Sequence, residues 1–170
     1  MIIFWEYTMK SIFFFLICLF GLLQISTAQE RIAVLPFRNM DGLLSLTPLC
    51  AKLADTVAAE LAKTDPQEKY IHVVPSDSVN EVLASLNLDP QNPQYDSDMW
   101  KAVAMLNITR VVSGGFNLQG DKLLVNAYIY EVTTKLADPT HQAKNLFKPK
   151  DQIMEIIPKI IKKLSPAFVR

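Results

Sequence analysis

The sequence predicts one small α/β domain with element order β-α-β-α-α-β-β-(β)-α. Three observations carry that reading: a β-loop-α pattern occurring twice between Arg31 and Leu86, a β-hairpin signal around Gly120-Asp121, and an apolar repeat at helical spacing between Ile153 and Leu164. Apolar runs of strand length alternate with longer stretches of 3.6-residue period, which is the signature of helices packed on a sheet.

Arg31 to Phe37 is a short apolar, β-rich run closed by Pro36-Phe37, suited to a central buried strand. Arg38 to Leu46 holds Asn39, Asp41 and Gly42 and reads as a loop ending at Thr47-Pro48, an N-cap followed by proline in the first helical turn. Leu49, Leu53, Val57 and Leu61 then recur every four residues, so the first helix shows one apolar stripe and ends near Lys63, ahead of Pro66. Tyr70 to Val74 is a second strand. Ser78 and Glu81 form a capping box that opens a helix carrying Val79, Val82, Leu83 and Leu86. Pro90 and Pro93 break the chain between Asp89 and Tyr95. Asp96 or Ser97 caps the third helix, whose start holds Asp96 and Asp98 at the positive end of the helix dipole and whose apolar face is Met99, Ala102, Val103 and Leu106.

Arg110 to Gln119 and Lys122 to Val132 flank Gly120-Asp121 and predict an antiparallel hairpin closed by a two-residue turn of type II′. In the second arm Leu123, Val125, Ala127 and Ile129 make a uniformly apolar face, expected to meet helices, while Leu124, Asn126, Tyr128 and Tyr130 make a mixed one. Thr133 to His141 reads as a turn, and residues 141–147 fit either an edge strand or an irregular loop. Ile153, Ile156, Ile157, Ile160, Ile161 and Leu164 form a terminal helix that Pro158 must kink or restart, since an interior proline costs about 3 kcal/mol or more.

Ahead of these elements, Ile12 to Leu23 is almost wholly apolar, follows Lys10 and precedes Ser26-Thr27-Ala28. About twelve apolar residues suit the core of an export signal, whereas a membrane-spanning helix needs roughly twenty. Cleavage is expected after Ala28, leaving residues 29–170 as a single domain, periplasmic or secreted, with the outer-membrane periphery as a further location. Met1 to Thr8 carry Glu6 and no cation, so translation starts at Met1 or at Met9. Cys18 follows bulky Ile17, which argues against lipidation there and leaves only indirect membrane association.

The remaining chain of roughly 140 residues suits one core. Seventeen basic and seventeen acidic residues balance, so no nucleic-acid partner is implied. The one basic cluster, Lys159, Lys162 and Lys163, reads as a solvated helix face. Cys50 is the only cysteine beyond the signal and reads as a small buried hydrophobe.

Catalytic chemistry finds few groups. His72 lies within the second strand and His141 near the turn, in no metal-ligand spacing, and one cysteine with two scattered histidines makes a poor zinc set. Gly114-Gly115 lacks the pattern and following helix of a phosphate loop and reads as a strand position that excludes bulk. Asn107-Ile108-Thr109 matches a glycosylation sequon but needs a eukaryotic secretory route. No catalytic residue, metal or cofactor is therefore assigned, and the chain is read as a non-enzyme.

Four segments together resemble a known superfamily: Ile32-Ala33-Val34-Leu35-Pro36-Phe37-Arg38-Asn39, the Leu53-Ala54-Asp55 helix, the Leu106 helix end leading into Val111-Val112-Ser113-Gly114, and the hairpin Gly120 to Ala127. The combination is similar to the TolB amino-terminal-domain-like group, which takes in envelope proteins of the CsgG, FlgO and LpoB types. That resemblance implies a mixed β-sheet flanked by helices and a role in recognition or assembly in the cell envelope, without catalysis. The TolB propeller and a lipidation motif are not among the recognised features, which leaves a soluble module of that type. An envelope protein or complex is the expected partner, and a periplasmic small-ligand-binding protein, with a closed pocket between helices and sheet, is the alternative.

Two candidate contact surfaces follow. Leu43, Leu44 and Leu46 put apolar residues in the loop after the first strand, where they either fold back over the core or meet a partner. Tyr128 and Tyr130 on the mixed hairpin face are either interface anchors or packed beneath the terminal helix.

Overall fold

The computed structural model describes residues 29–168, so the export signal, the cleavage after Ala28 and the choice of start residue lie outside the described residues. The described chain forms a six-stranded mixed sheet of order β3-β1-β4-β5-β6 with helices on both faces. Here β1 is Glu30–Val34, β2 Arg38–Asn39, β3 Ile71–Val73, β4 Arg110–Gln119, β5 Lys122–Glu131 and β6 Ala137–Pro149. The helices are α1 Pro48–Ala62, α2 Ser76–Ser85, α3 Tyr95–Met105 and α4 Ile157–Leu164. β1 runs parallel to β3 and to β4, and β4, β5 and β6 form an antiparallel meander.

The first strand is shorter than expected and is continued by β2 along the same neighbour. Val34 sits opposite Val112 and Arg38 opposite Gly115, so the chain takes four steps while β4 takes three. The extra residue falls at Leu35-Pro36-Phe37, where proline has no N–H to give the ladder. One added residue reverses the alternation of faces. Phe37 accordingly joins Ile32 and Val34 in the core cluster of one face, while Ala33 and Leu35 belong to the cluster of the other.

That first core is large. Val125, Ala127 and Ile129 of β5 pack with Leu53, Val57 and Leu61 of α1 and with Ile157, Ile160 and Leu164 of α4, which is the helix contact expected of the apolar hairpin face. Pro158 acts as a restart. A 3-10 segment over Lys150–Ile156 gives way to α4, with the proline in the first turn where its missing N–H costs nothing. Asp65 pins the exit of α1 to β3, its Oδ2 accepting Tyr70 N–H at 2.6 Å and Ile71 N–H at 2.9 Å, and these two backbone donors hold its carboxyl below the usual range.

Several boundaries moved for local reasons. α2 starts at Ser76, behind Pro75, so Ser78 lies inside the helix and the capping box with Glu81 does not open it. Thr47 continues a 3-10 turn over Leu44–Leu46 in helical geometry, and its hydroxyl makes no cap bond. α3 begins at Tyr95, ahead of Asp96 and Ser97; the Ser97 hydroxyl donates to the Gln94 carbonyl. Residues 141–147 belong to a strand of 13 residues, β6, and the turn before it closes by Leu136. β6 was hard to read because its composition is polar and prolines stand at Pro139 and Pro149, both of which an edge strand tolerates. The hairpin turn has positive φ at Gly120 (63°) and not at Asp121, the II′ pattern expected.

Candidate binding face

The two faces of the sheet are covered unequally. On the second face α2 and α3 bury Ala33, Leu35, Val79, Leu83, Met99, Val103 and Val111, which covers β1 and the start of β4. Beyond Val111 the residues on this face, Ser113, Gly115 and Asn117 of β4 and Leu124, Asn126 and Tyr128 of β5, remain partly exposed while their neighbours on the opposite face are buried. The uncovered half of the sheet holds a cleft of about 540 Å³ bounded by Arg38, Met40, Asp41, Asp96, Ser113, Gly115, Asn117, Asn126, Tyr128 and Tyr130.

The bulge at Pro36 creates one wall of this cleft. By pairing β2 in parallel with β4 it sets Arg38 opposite Gly115, and Met40 N–H then donates to the Phe116 carbonyl at 2.9 Å. A Cβ on Gly115 would lie 3.5 Å from Met40 Cγ and Sδ, so the methionine lies over the glycine. The loop is closed by Asp41, whose carboxylate accepts the Leu118 N–H, and by Gly42 at φ 65°. Gly114, on the opposite face, answers a different need: a Cβ there would fall 2.5 Å from the Asn126 carbonyl oxygen and nearer still to the Phe37 ring.

Tyr128 and Tyr130 form the other wall. Their rings stand 6.3 Å apart at 58°, Trp100 meets Tyr130 edge-on at 6.3 Å, and Lys144 Nζ lies 5.5 Å from the Tyr128 ring centre. Burial, with smaller contributions from Tyr128 and Asp96, pushes the Tyr130 phenol above its usual range. At the closed end Arg38 Nη1 pairs with Asp96 Oδ2, tying β2 to the first turn of α3. Tyr95 is buried just behind, and its hydroxyl has no hydrogen-bond partner among the described residues. Burial raises that phenol strongly, Asp96 adds to the effect and Arg38 opposes it.

The candidate residues divide clearly. Tyr128 and Tyr130 face the cleft; the alternative, packing beneath the terminal helix, does not hold, because α4 lies against Val125, Ala127 and Ile129 on the other face. Leu44 is 87 % exposed and Leu43 42 %, whereas Leu46 is only 2 % exposed and packs in the core with Cys50, so Leu46 is removed from the contact surface. A second cleft, bounded by Asn39, Met40, Gly42, Leu44, Thr47 and Gln91, shares Arg38, Met40 and Asp41 with the first. The leucine loop and the tyrosine wall are therefore parts of one continuous surface. Sequence reasoning missed Arg38, Met40, Ser113, Asn117 and Asn126, which only the sheet pairing brings together.

The reactive groups do not converge. His72 sits on edge strand β3 with its Nδ1 2.8 Å from Glu68, and His141 on the opposite edge strand β6 with its Nδ1 2.9 Å from Asp138. Four strand spacings, about 19 Å, separate those edges. Cys50 is buried within α1, where desolvation raises its thiol pKa and Gln91 Nε2 approaches the sulfur at 3.5 Å. Asp96 and Asp98 are engaged by Arg38 and Lys101. Lys159, Lys162 and Lys163 are exposed on α4. No cluster of three metal-ligating side chains occurs among the described residues, and none of their helices is long and apolar enough to cross a membrane.

No protein-family model matches the chain, and no curated protein matches it in sequence. Solved structures do. The LpoB C-terminal domain from Salmonella enterica aligns at 15 % identity and TM-score 0.50 over 75 % of this chain and 87 % of that one. LpoB from E. coli aligns at 16 % and 0.53 over 73 % of this chain and 59 % of that one. Lipoprotein GNA1162 from Neisseria meningitidis aligns at 12 % and 0.52 over 78 % and 99 %. At these identities the likeness concerns the fold, which is the mixed sheet with flanking helices expected from the TolB amino-terminal-domain-like resemblance.

Proposed function

We propose that this chain is a non-catalytic module of the cell envelope, exported on the segment before Gln29, that recognises another protein through the uncovered half of its sheet. The observation that carries the reading is the unequal cover: Tyr128 and a flanking loop with exposed Met40, Leu43 and Leu44 occupy one continuous surface that no helix of the described chain covers, with Tyr130 at its border beside Trp100 of α3. Exposed apolar residues beside clustered tyrosines are the composition of a recognition surface. The scattered histidines and the buried cysteine support a non-catalytic role. The fold shared with LpoB and with a Neisseria lipoprotein is in keeping with an envelope setting.

The test is site-specific photo-crosslinking in intact envelopes. A crosslinker replacing Tyr128 or Leu44 is expected to trap one and the same protein, and a crosslinker replacing Glu60 on α1 to trap none. Adducts from Glu60 alone, or none from either surface position, would end the proposal. Intact mass of the isolated protein, expected to begin at Gln29, tests the export reading separately.

A further inference from the structure

We infer that the cleft between Met40 and the two tyrosines binds a neutral, hydroxyl-rich chain, that is, a glycan segment; this goes beyond protein recognition and does not depend on it. Its volume of about 540 Å³ lies within the range of small-ligand sites, about 300–1,000 Å³. Its lining carries no net positive charge: Arg38 is the one cation among the lining residues and is paired with Asp96, and Asp41 adds a second carboxylate, so the lining offers an anion nothing to pair with.

What is left over is neutral and polar. The Ser113, Tyr128 and Tyr130 hydroxyls and the Asn117 amide have no hydrogen-bond partner among the described residues, and Asn126 uses only its oxygen, on Asn145 N–H. Hydroxyls and planar amides offer donors and acceptors together, which suits a ligand that carries both on every ring. The Tyr128 and Tyr130 rings offer apolar faces for the C–H surface of a sugar. Gly115 makes room for the Met40 side chain that lines the β2 side, and the walls on β2 and β5 stand two strand spacings apart, about 10 Å. The trough is open toward solvent, so it holds a stretch of polymer rather than enclosing a small molecule.

The experiment is an amide-resolved NMR titration of the purified protein with the neutral tetramer of N-acetylglucosamine, with maltotetraose in parallel. Shifts are expected at Ser113, Gly115, Asn117, Asn126 and Tyr128 with at least one of the two sugars. Asn117→Ala and Tyr128→Ala should each weaken that binding about two- to tenfold, and Lys63→Ala on α1 should leave it unchanged. Co-sedimentation with purified peptidoglycan sacculi separates the two sources of this chemistry: with it, the ligand is an envelope polymer; without it, a free oligosaccharide. No shifts with either sugar, or shifts confined to another face, overturn the inference. A protein crosslinked at Tyr128 alongside silent titrations would remove the glycan and leave the recognition reading standing, whereas sugar shifts without any crosslinked protein would do the reverse.

Discussion

Replacing Gly114 with alanine puts the bulge at Pro36 under direct strain. The extra residue turns Phe37 onto Gly114, where an alanine Cβ would stand 2.5 Å from the Asn126 carbonyl oxygen and 2.7 Å from Phe37 Cδ1. Neither contact is tolerable for a real methyl group, and one of the two neighbours is backbone. Glycine to alanine in a strand ordinarily stabilises by about 0.5–1 kcal/mol, whereas overpacking a core costs about 1–3 kcal/mol, so the sign of the effect is diagnostic. Gly114→Ala is expected to lower the urea midpoint at unchanged slope, by an amount a domain of about 5–15 kcal/mol survives. Phe37→Leu removes the ring half of the clash and leaves the carbonyl half. In that background Gly114→Ala should cost less, with a coupling of about 0.5–3 kcal/mol in the double-mutant cycle. An alanine variant as stable as its parent, or costs that simply add, would refute this account of the bulge.

Other consequences are as definite. Burial pushes the Asp138 carboxyl up, but hydrogen bonds from the His141 ring and from the His141 and Thr140 N–H groups outweigh it and hold the pKa at about 2. A depressed carboxyl contributes stability above its unfolded value near 4 that disappears as pH falls through the folded one, so the gap in urea midpoint between the parent and Asp138→Asn should close between about pH 4 and pH 2. Burial raises the Tyr95 phenol, so its ionised form should appear in the ultraviolet spectrum only with alkaline unfolding, and stability should fall as pH passes the unfolded tyrosine value near 10. Leu46→Ala should cost about 2–5 kcal/mol in chemical denaturation, whereas Leu44→Ala should leave stability within about 0.5 kcal/mol and reduce crosslinking to the partner.

The elements most legible in the sequence are those set by local chemistry. The β4-β5 hairpin announces itself through Gly120-Asp121 and strict alternation, and the stripe Leu53, Val57, Leu61 identifies α1 and its buried face. Pro158 reads correctly as a restart because its constraint is steric and local. The losses lie where partners are distant. Nothing around Pro36 reveals that β2 will pair with β4, some 77 residues on, yet that pairing carries Arg38 and Met40 to the cleft. β6 is paired through two register shifts, one stitched by the Asn126 side chain to Asn145 at φ 57°, and such bulges erase the alternation by which strands are recognised. Ser78 with Glu81 has the pattern of a cap, but Pro75 starts the helix earlier. For the binding face, alternation along β5 singled out Tyr128 and Tyr130, while Ser113, Asn117 and Asn126 gain meaning only from the absence of a helix above them.

Hydroxyl-radical footprinting of the protein in native envelopes, compared with the purified chain, asks most directly whether the uncovered half of the sheet is the working surface. Met40 and Met105 are matched probes, 63 % and 60 % exposed, one at the cleft and the other at the end of α3. Met40, Leu44 and Tyr128 are expected to lose labelling in the envelope while Met105 and Leu136 keep theirs. Equal labelling of Met40 and Tyr128 in both samples, or protection confined to Met105 and Leu136, would contradict it.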